Sequence, residues 1–457
     1  MSPRLIVASL AACALLPWAV LAADRVDPGA AGIAIPEIAP GPAITLAEAL
    51  QRADRNSPTL AAARADIERA EAELAASWGR LVPAASGSLG YTYNDHADFA
   101  SPGGGTEVEI RSQETATLSL QLRVPLVRPQ SWLATHAARA GVRVGELGAE
   151  ATRQALLLTT AQAYFQALTA RALIEVQQSQ VAAARRHLSV SEIRLRSGTG
   201  SRLDMIRART DLLAAQEALL LAHTAYEGSR DALRTLIRSD ALPAPAGEPG
   251  LAPPALDEPS LLQQASAARE DLRLARAAED LAERQVLASS MAYLPSLDAS
   301  WQLNYQITDP AGFSSTDQSR WFLGLTLTVP LYDHVNTAAL QQSLAARRRA
   351  ELELEQAELD AAREVRQALR AFREALVLVG TAQTKAGLAG DALELAETAY
   401  ENGTGDSLDV TDARRSSRAA ESDLATRRFD AQLSLLELLR ATGGDVLSLV
   451  ARGGAGT

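Results

Sequence analysis

Two hydrophobic periods alternate along this chain. Leu297, Ala299, Trp301, Leu303, Tyr305 and Ile307 alternate with Asp298, Ser300, Gln302, Asn304, Gln306 and Thr308. Trp321, Leu323, Leu325, Leu327 and Val329 alternate mainly with Gly324, Thr326 and Thr328. Upstream, Ala116, Leu118, Leu120, Leu122 and Val124 alternate with Thr117, Ser119, Gln121 and Arg123, and Leu89, Tyr91 and Tyr93 do so more weakly. Successive side chains of a strand point to opposite faces, so a period of two predicts strands with one apolar and one polar face. They form hairpins over about 84–124 and about 295–329.

The second period is helical. Val365, Leu369, Phe372, Leu376 and Val379 follow a 3-4 spacing, as do Leu157, Ala161, Tyr164 and Leu168, and this is coiled-coil packing. From about 130 to 196 and about 335 to 401 there is no Pro and little Gly. At 1.5 Å per residue, helices of ~66 residues reach ~100 Å. A Gly-Thr-Gly turn then reverses the chain, and shorter helices return over about 201–238 and about 406–440. Each hairpin is preceded by a helix. Thr45 with Glu48 and Ser260 with Gln263 make capping-box signatures, and these helices run to about Trp78 and about Met291.

The same unit is therefore written twice. Arg196-Ser197-Gly198-Thr199-Gly200-Ser201-Arg202-Leu203-Asp204 returns as Glu401-Asn402-Gly403-Thr404-Gly405-Asp406-Ser407-Leu408-Asp409, 205 residues later, and Val124-Pro125-Leu126 returns as Val329-Pro330-Leu331 at the same offset. Leu60 and Pro83 return as Leu272 and Pro295 at an offset of 212. The difference of seven arises in the hairpins, so the helices keep their length and a loop absorbs the change. The expected organisation is repeat 1 over 44–240, a Pro-rich linker over 241–259, repeat 2 over 260–442 and a flexible Gly-rich tail over 443–457.

The N-terminus reads as an address. Arg4 precedes an apolar run from Leu5 to Leu21, and Ala22 and Ala23 follow, the layout of a signal peptide over 1–22; an extended linker fills 23–43. Leu10-Ala11-Ala12-Cys13 also has the form of a lipobox, but apolar residues continue from Ala14 to Leu21, which favours a chance Cys inside the signal. A mature chain without Cys holds no disulfide, thiolate metal site or Cys nucleophile.

For a secreted chain, the strands have two readings: a half-buried soluble sheet or a membrane barrel. Their length of ~10 residues suits a tilted bilayer crossing. Trp and Tyr lie toward strand ends and the polar face is nearly uncharged, as a wet lumen wall can be. These features favour the barrel. Four strands do not close one, and open edges cannot face lipid. Several chains must then share it, and eight, twelve or sixteen strands correspond to two, three or four chains.

These features together resemble the TolC-like outer-membrane efflux protein family. The resemblance covers the chain from about Ile44 to Gly443. It rests on Leu46-Ala47-Glu48-Ala49-Leu50 with Asn56-Ser57-Pro58, the doubled Val-Pro-Leu and the doubled Gly-Thr-Gly followed by Leu-Asp. It implies a mixed α/β, mainly helical membrane protein: a homotrimer whose 12-stranded barrel in outer-membrane lipid of a Gram-negative bacterium continues into a coiled-coil α-helical barrel in the periplasm. The implied function is the passive exit duct of a tripartite efflux or type I secretion system. Its partners would be a periplasmic adaptor (membrane fusion) protein and an inner-membrane pump of RND, ABC or MFS type.

By the same resemblance, Asp409 and Asp412 form acidic rings constricting the periplasmic entrance. Tyr400 ties the closed gate to Asp204 on the neighbouring hairpin. The turns Gly198-Thr199-Gly200 and Gly403-Thr404-Gly405 dock the adaptor. The family's gating Arg would fall at Gly405, so Arg202 or Arg207 is a candidate substitute. The doubled Val-Pro-Leu also departs, continuing as Val127-Arg128-Pro129 and Tyr332-Asp333-His334 where the family often has an aromatic residue and Gly.

Composition narrows the remaining classes. The net charge of −11 argues against a nucleic-acid binder. Lys385 is the sole Lys, and aromatics make up 4% of the chain, which disfavours a large aromatic-lined pocket. His96, His136, His187, His223 and His334 are scattered without ligand spacing, and no nucleophile elbow or phosphate loop occurs, so neither an enzyme nor a cofactor is expected. A periplasmic coiled-coil adaptor or interaction protein would explain the helices but not the strands.

Overall fold

The computed structural model describes residues 39–101, 107–247, 253, 256–308 and 318–454. The expected signal peptide, Cys13 and most of the 23–43 linker lie outside them. In chain order the elements are β1 (Ala43–Ile44), α1 (Leu46–Asn56), α2 (Pro58–Gly79), β2 (Ala84–Tyr93), β3 (Asp98–Ala100), β4 (Val108–Arg111), β5 (Glu114–Val127), α3 (Pro129–Arg196) and α4 (Arg202–Ile237). There follow β6 (Ala244–Pro245), α5 (Glu258–Ala268), α6 (Glu270–Ser290), β7 (Ser296–Gln306), β8 (Ser319–Thr328), α7 (His334–Glu401), α8 (Ser407–Ala441) and α9 (Val446–Gly454).

The two long helices have 68 residues each, which makes them ~100 Å long. On the sheet side α2 packs on α3 and α6 on α7; on the far side α4 packs on α3 and α8 on α7, while α3 also meets α6 and α8. Small residues such as Ala137, Ala140, Ala161 and Ala184 are buried along α3 and let the helices approach closely. The 3-4 stripe on α3 is buried throughout, at Leu157, Ala161, Tyr164 and Leu168. On α7 it is buried only through Val365, Leu369 and Phe372; Leu376 is 49% exposed, on a face of α7 turned away from its neighbours within the chain.

Four antiparallel strands form one sheet in the order β2-β5-β7-β8. Its register aligns Ala85, Leu122, Trp301 and Leu323 across the sheet, and Gly87, Leu120, Leu303 and Trp321 one row further. The adjacent rows on the opposite face are Ser86, Gln121, Gln302 and Phe322, then Ser88, Ser119, Asn304 and Arg320. The period of two thus becomes one apolar and one mainly polar wall. β5 runs on through Pro125 with a register irregularity, then Arg128 turns the chain into α3. There its guanidinium grips Asp298 of β7 with two bonds of 2.9 Å. Arg128 thus braces this bend ionically against β7. The loop of the first hairpin also carries a small β3–β4 ladder.

The middle of the molecule corrects several expectations. Neither copy opens with one helix. In the first, Pro58 ends α1, since its ring cannot follow a helical residue without clash. In the second, Arg269 takes extended backbone (φ −63°, ψ 129°) and no Pro is present. Its side chain is buried, reaching Asp271 and Glu364 at 2.6 and 2.8 Å and the Ala441 carbonyl at the end of α8. Those bonds require Arg269 to leave the helical path. The expected capping box of Ser260 with Gln263 does not form. Asp257 caps α5 instead, accepting from the Ser260 N–H, because Pro259 fits the first helical turn. The capping box of Thr45 and Glu48 is present.

The 241–259 segment is more than a linker. Its β6 pairs in parallel with β1, and residues 258–259 already belong to α5. Arg230 is fully buried and donates to the carbonyls of Ala39, Leu242 and Pro243, pinning both segments onto α4. Tyr164 donates to the Ala246 carbonyl at 2.8 Å. The tail expected to be flexible after residue 443 instead forms α9. Val446 and Val450 enter the core with Leu50, Leu157 and Leu436, and this burial of apolar surface holds the helix onto the molecule. Among the described residues, no helix is long and apolar enough to cross a membrane.

Candidate functional site at the helical tips

Far from the sheet, each long helix ends in the same turn. Gly198 and Gly403 both have φ +78°, the left-handed region that glycine enters without penalty. The carbonyls of Arg194 and Ala399 each accept two N–H groups, from Thr199 and Gly200 and from Thr404 and Gly405. A Cβ at Gly200 would sit 2.9 Å from the Cβ of Arg194, and one at Gly405 3.0 Å from that of Ala399. The first glycine therefore makes the turn and the second permits the return helix to pack on it. Gly198, Thr199, Gly403 and Thr404 are exposed, as a docking tip requires; Gly200 and Gly405 are half-buried.

Asp409 and Asp412 lie on an exposed face of α8, opposite the buried Ser407 and Val410. Asp409 makes no ion pair or hydrogen bond among the described residues. Asp412 lies 3.5 Å from Arg415, an exposed pair that salt would screen. Asp406 precedes the first turn as the N-cap, without a side-chain bond.

Tyr400 and Asp204 are not joined within the chain. Asp204 is spent on its own helix, where its carboxylate accepts from the Ser201 N–H as a capping box completes α4. Tyr400 is 4% exposed, and its partners come from α3. Its hydroxyl lies 3.3 Å from that of Ser191 and its ring centroid 5.2 Å from that of His187. The Arg194 guanidinium stands 4.4 Å from the ring centroid and donates to the Tyr400 carbonyl at 2.5 Å. Arg202 and Arg207 make no such contact. His187, Ser191 and Arg194 are spaced four and three apart, which puts them on one helical face. That spacing was readable in the sequence, but only the fold shows that Tyr400 fills it.

Other polar links surround this contact. Arg414 of α8 holds Glu397 of α7 through Nε and Nη2, and Thr411 donates to Asp211 of α4 at 2.9 Å. His187 is buried among these groups with its Nε2 unpartnered. Burial, then the nearby Arg414 cation, lower its pKa from 6.5 to about 4. Arg414 Nη1 is likewise buried without a partner. A cavity of about 260 Å³ lies between α3, α7 and α8, lined by His187, Glu397, Tyr400 and Arg414.

A sequence profile described as outer membrane efflux protein matches residues 49–237 and again 261–444. The chain is 28% identical over 407 residues to the outer membrane protein TolC of Vibrio cholerae, covering 87% of this chain and 90% of that protein. It is 24% identical to the TolC of Escherichia coli, over 87% of this chain and 82% of that one. Its fold is similar to that of the Campylobacter jejuni CmeC outer membrane channel, with a TM-score of 0.74 at 18% identity, covering 88% of this chain and 86% of that one.

Proposed function

This chain belongs to the outer membrane efflux protein family and is an outer-membrane exit duct, and we propose that three copies build one duct. The observation that carries this is the open sheet. β2 and β8 end it on either side, and its apolar wall leaves Leu89, Tyr91, Trp321, Leu323, Leu325 and Leu327 exposed. Unpaired strand edges have no place in lipid. Joining β8 of one copy to β2 of the next removes both edges, and three copies give twelve strands, the number implied by the family resemblance. The same rotation would bring α2 and α4 of the next copy against the uncovered side of α7. Leu331, Tyr332 and Val335, the most exposed apolar residues of the strand-to-helix bend, would be buried there.

In this reading the helices continue the lumen into the periplasm and the tips form its entrance, with Asp409 and Asp412 facing the path. The two tip turns receive a periplasmic adaptor, which bridges to an inner-membrane pump. Energy comes from those partners, and the duct conducts passively. Fractionation tests the assembly. The protein should be recovered from outer membranes as a species of trimer mass that migrates as monomer only after heating. Recovery as a monomer from the soluble periplasm would overturn it.

A further inference from the structure

We propose that Arg194 is the residue that locks the entrance shut in this protein, acting as an arm from the first tip that grips Tyr400 as a socket on the second. The inference rests on the entrance reading above and names how that entrance is held without an Arg at Gly405.

The duplication provides the first argument. At the offset of 205 residues, His187, Ser191 and Arg194 correspond to Ala392, Ala396 and Ala399, and Leu195 corresponds to Tyr400. All three polar residues on this face of the first long helix are alanine on the second. The single large aromatic lies only on the second. Two copies of one unit have thus diverged into complementary halves at the place where they meet.

The geometry provides the second. The Tyr400 carbonyl lies in the last turn of α7, where carbonyls lack helical partners and the helix end carries partial negative charge. It accepts from the Gly403 N–H of its own turn at 3.1 Å and from Arg194 Nη1 at 2.5 Å. The same guanidinium lies over the Tyr400 ring, where the face of the π-system attracts a cation. Arg194 is itself in the last turn of α3, so one cation serves two helix C-termini. Its backbone is fixed, because its carbonyl closes the Gly-Thr-Gly turn and Gly200 packs directly on its Cβ. The arm therefore starts from a rigid base. Beside Arg194, only the Ser191 hydroxyl, 3.3 Å from that of Tyr400, bonds the two long helices near the turn among the described residues; the other bonds between the helical hairpins lie further along α3, at Gln180 to Glu421, Gln177 to Ser422 and Gln162 to Glu437, or join α8 to α4, at Thr411 to Asp211. Moving the end of α7 away from α3 must withdraw Tyr400 from Arg194.

Single-channel recording of the purified protein in planar bilayers tests this. Arg194→Ala should raise the fraction of time spent open on the order of tenfold, the change expected when a two-state equilibrium loses a charge-assisted hydrogen bond. Arg194→Lys keeps the cation and a donor but not the planar fork, and should restore part of the closure. Arg196→Ala, two residues further on, exposed and without contact to Tyr400, is the control and should record as wild type. Tyr400→Ala keeps the main-chain carbonyl that accepts from Arg194 but removes the ring beneath the guanidinium, so Arg194→Ala and Tyr400→Ala combined should open the channel less than the sum of the two single effects. If Arg194→Ala fails to reach the outer membrane, Arg194→Gln, which keeps the stem and a donor without the charge, is recorded instead and should also open. Wild-type gating in the Arg194 variants, with altered gating in Tyr400→Ala, would overturn the lock and leave the entrance reading standing. Wild-type gating in Tyr400→Ala and in Asp409→Ala with Asp412→Ala as well would overturn both.

Discussion

His187 is a buried base beside a cation, and its ring packs on Tyr400. It faces Asp204 and Asp211 from α4, Glu397 and Tyr400 from α7 and Arg414 from α8. Its folded pKa of about 4 lies below the ordinary 6.5, because burial and then Arg414 disfavour its charged form, against the pull of the carboxylates. Between pH 6.5 and 4 a loosened tip binds a proton that the packed tip does not, so packing loses stability as the pH falls through that window. We expect the open fraction of the wild-type channel to rise with acid over this range and that of His187→Gln to stay nearly flat. Equal acid responses in recordings of the two would exclude His187 as the group responsible. At this scale the resemblance implied a tie between Tyr400 and Asp204, and within one chain Asp204 instead accepts from the Ser201 N–H. A carboxylate three residues after a Ser is a capping-box pattern in its own right, and here the cap claims it.

The elements were legible in proportion to their periodicity. Both long helices, both return helices and all four main strands are where the 3-4 and period-two patterns place them. The breaks were less so. Pro58 announces the end of α1, but Arg269 carries no local signal, and its extended backbone follows from Asp271, Glu364 and the Ala441 carbonyl, the last two distant in sequence. The same holds for α9, whose Gly-rich surroundings read as a frayed tail until Val446 and Val450 meet the core. The register of the sheet gives a prediction proper to this scale. Leu323 and Trp301 share the apolar wall, while Gln302 stands on the opposite one. Leu323→Arg should strongly reduce the protein recovered from outer membranes, since a cation at mid-bilayer costs ~2–4 kcal/mol, whereas Gln302→Arg should assemble normally and alter conductance. Equal recovery of the two variants would mean that the walls are assigned the wrong way round.

For the whole molecule, the acidic balance acquires a place. Asp409 stands free on the exposed face of α8, while Asp412 shares its charge with Arg415. In an assembly of three copies, each position would repeat around the entrance, and a ring of carboxylates attracts cations and repels anions. Asp409→Ala should therefore lower cation selectivity more than Asp412→Ala does, and the double variant most of all, as read from reversal potentials in a salt gradient. Unchanged reversal potentials in the double variant would remove the acidic ring from the conduction path. The exposed apolar side of α7 and the exposed bend at Leu331 and Tyr332 belong to this scale as well. They are not explained by one chain, and they lie beside the sheet edge that one chain leaves open.

The sequence by itself determined what depends on neighbours along the chain. Alternation specified strands with two unlike faces, a 3-4 spacing without Pro specified helices of ~100 Å, and paired glycines specified where those helices turn back. It also showed motifs that recur 205 residues apart, because repetition is visible without any fold. Only the tertiary structure decided which distant groups share a buried site. It gave Tyr400 to Arg194, Ser191 and His187, kept Asp204 for its own helix and bent the chain at Arg269. The physical reason is that polar groups pair with whatever the fold brings within about 3 Å, and a sequence does not record that neighbourhood.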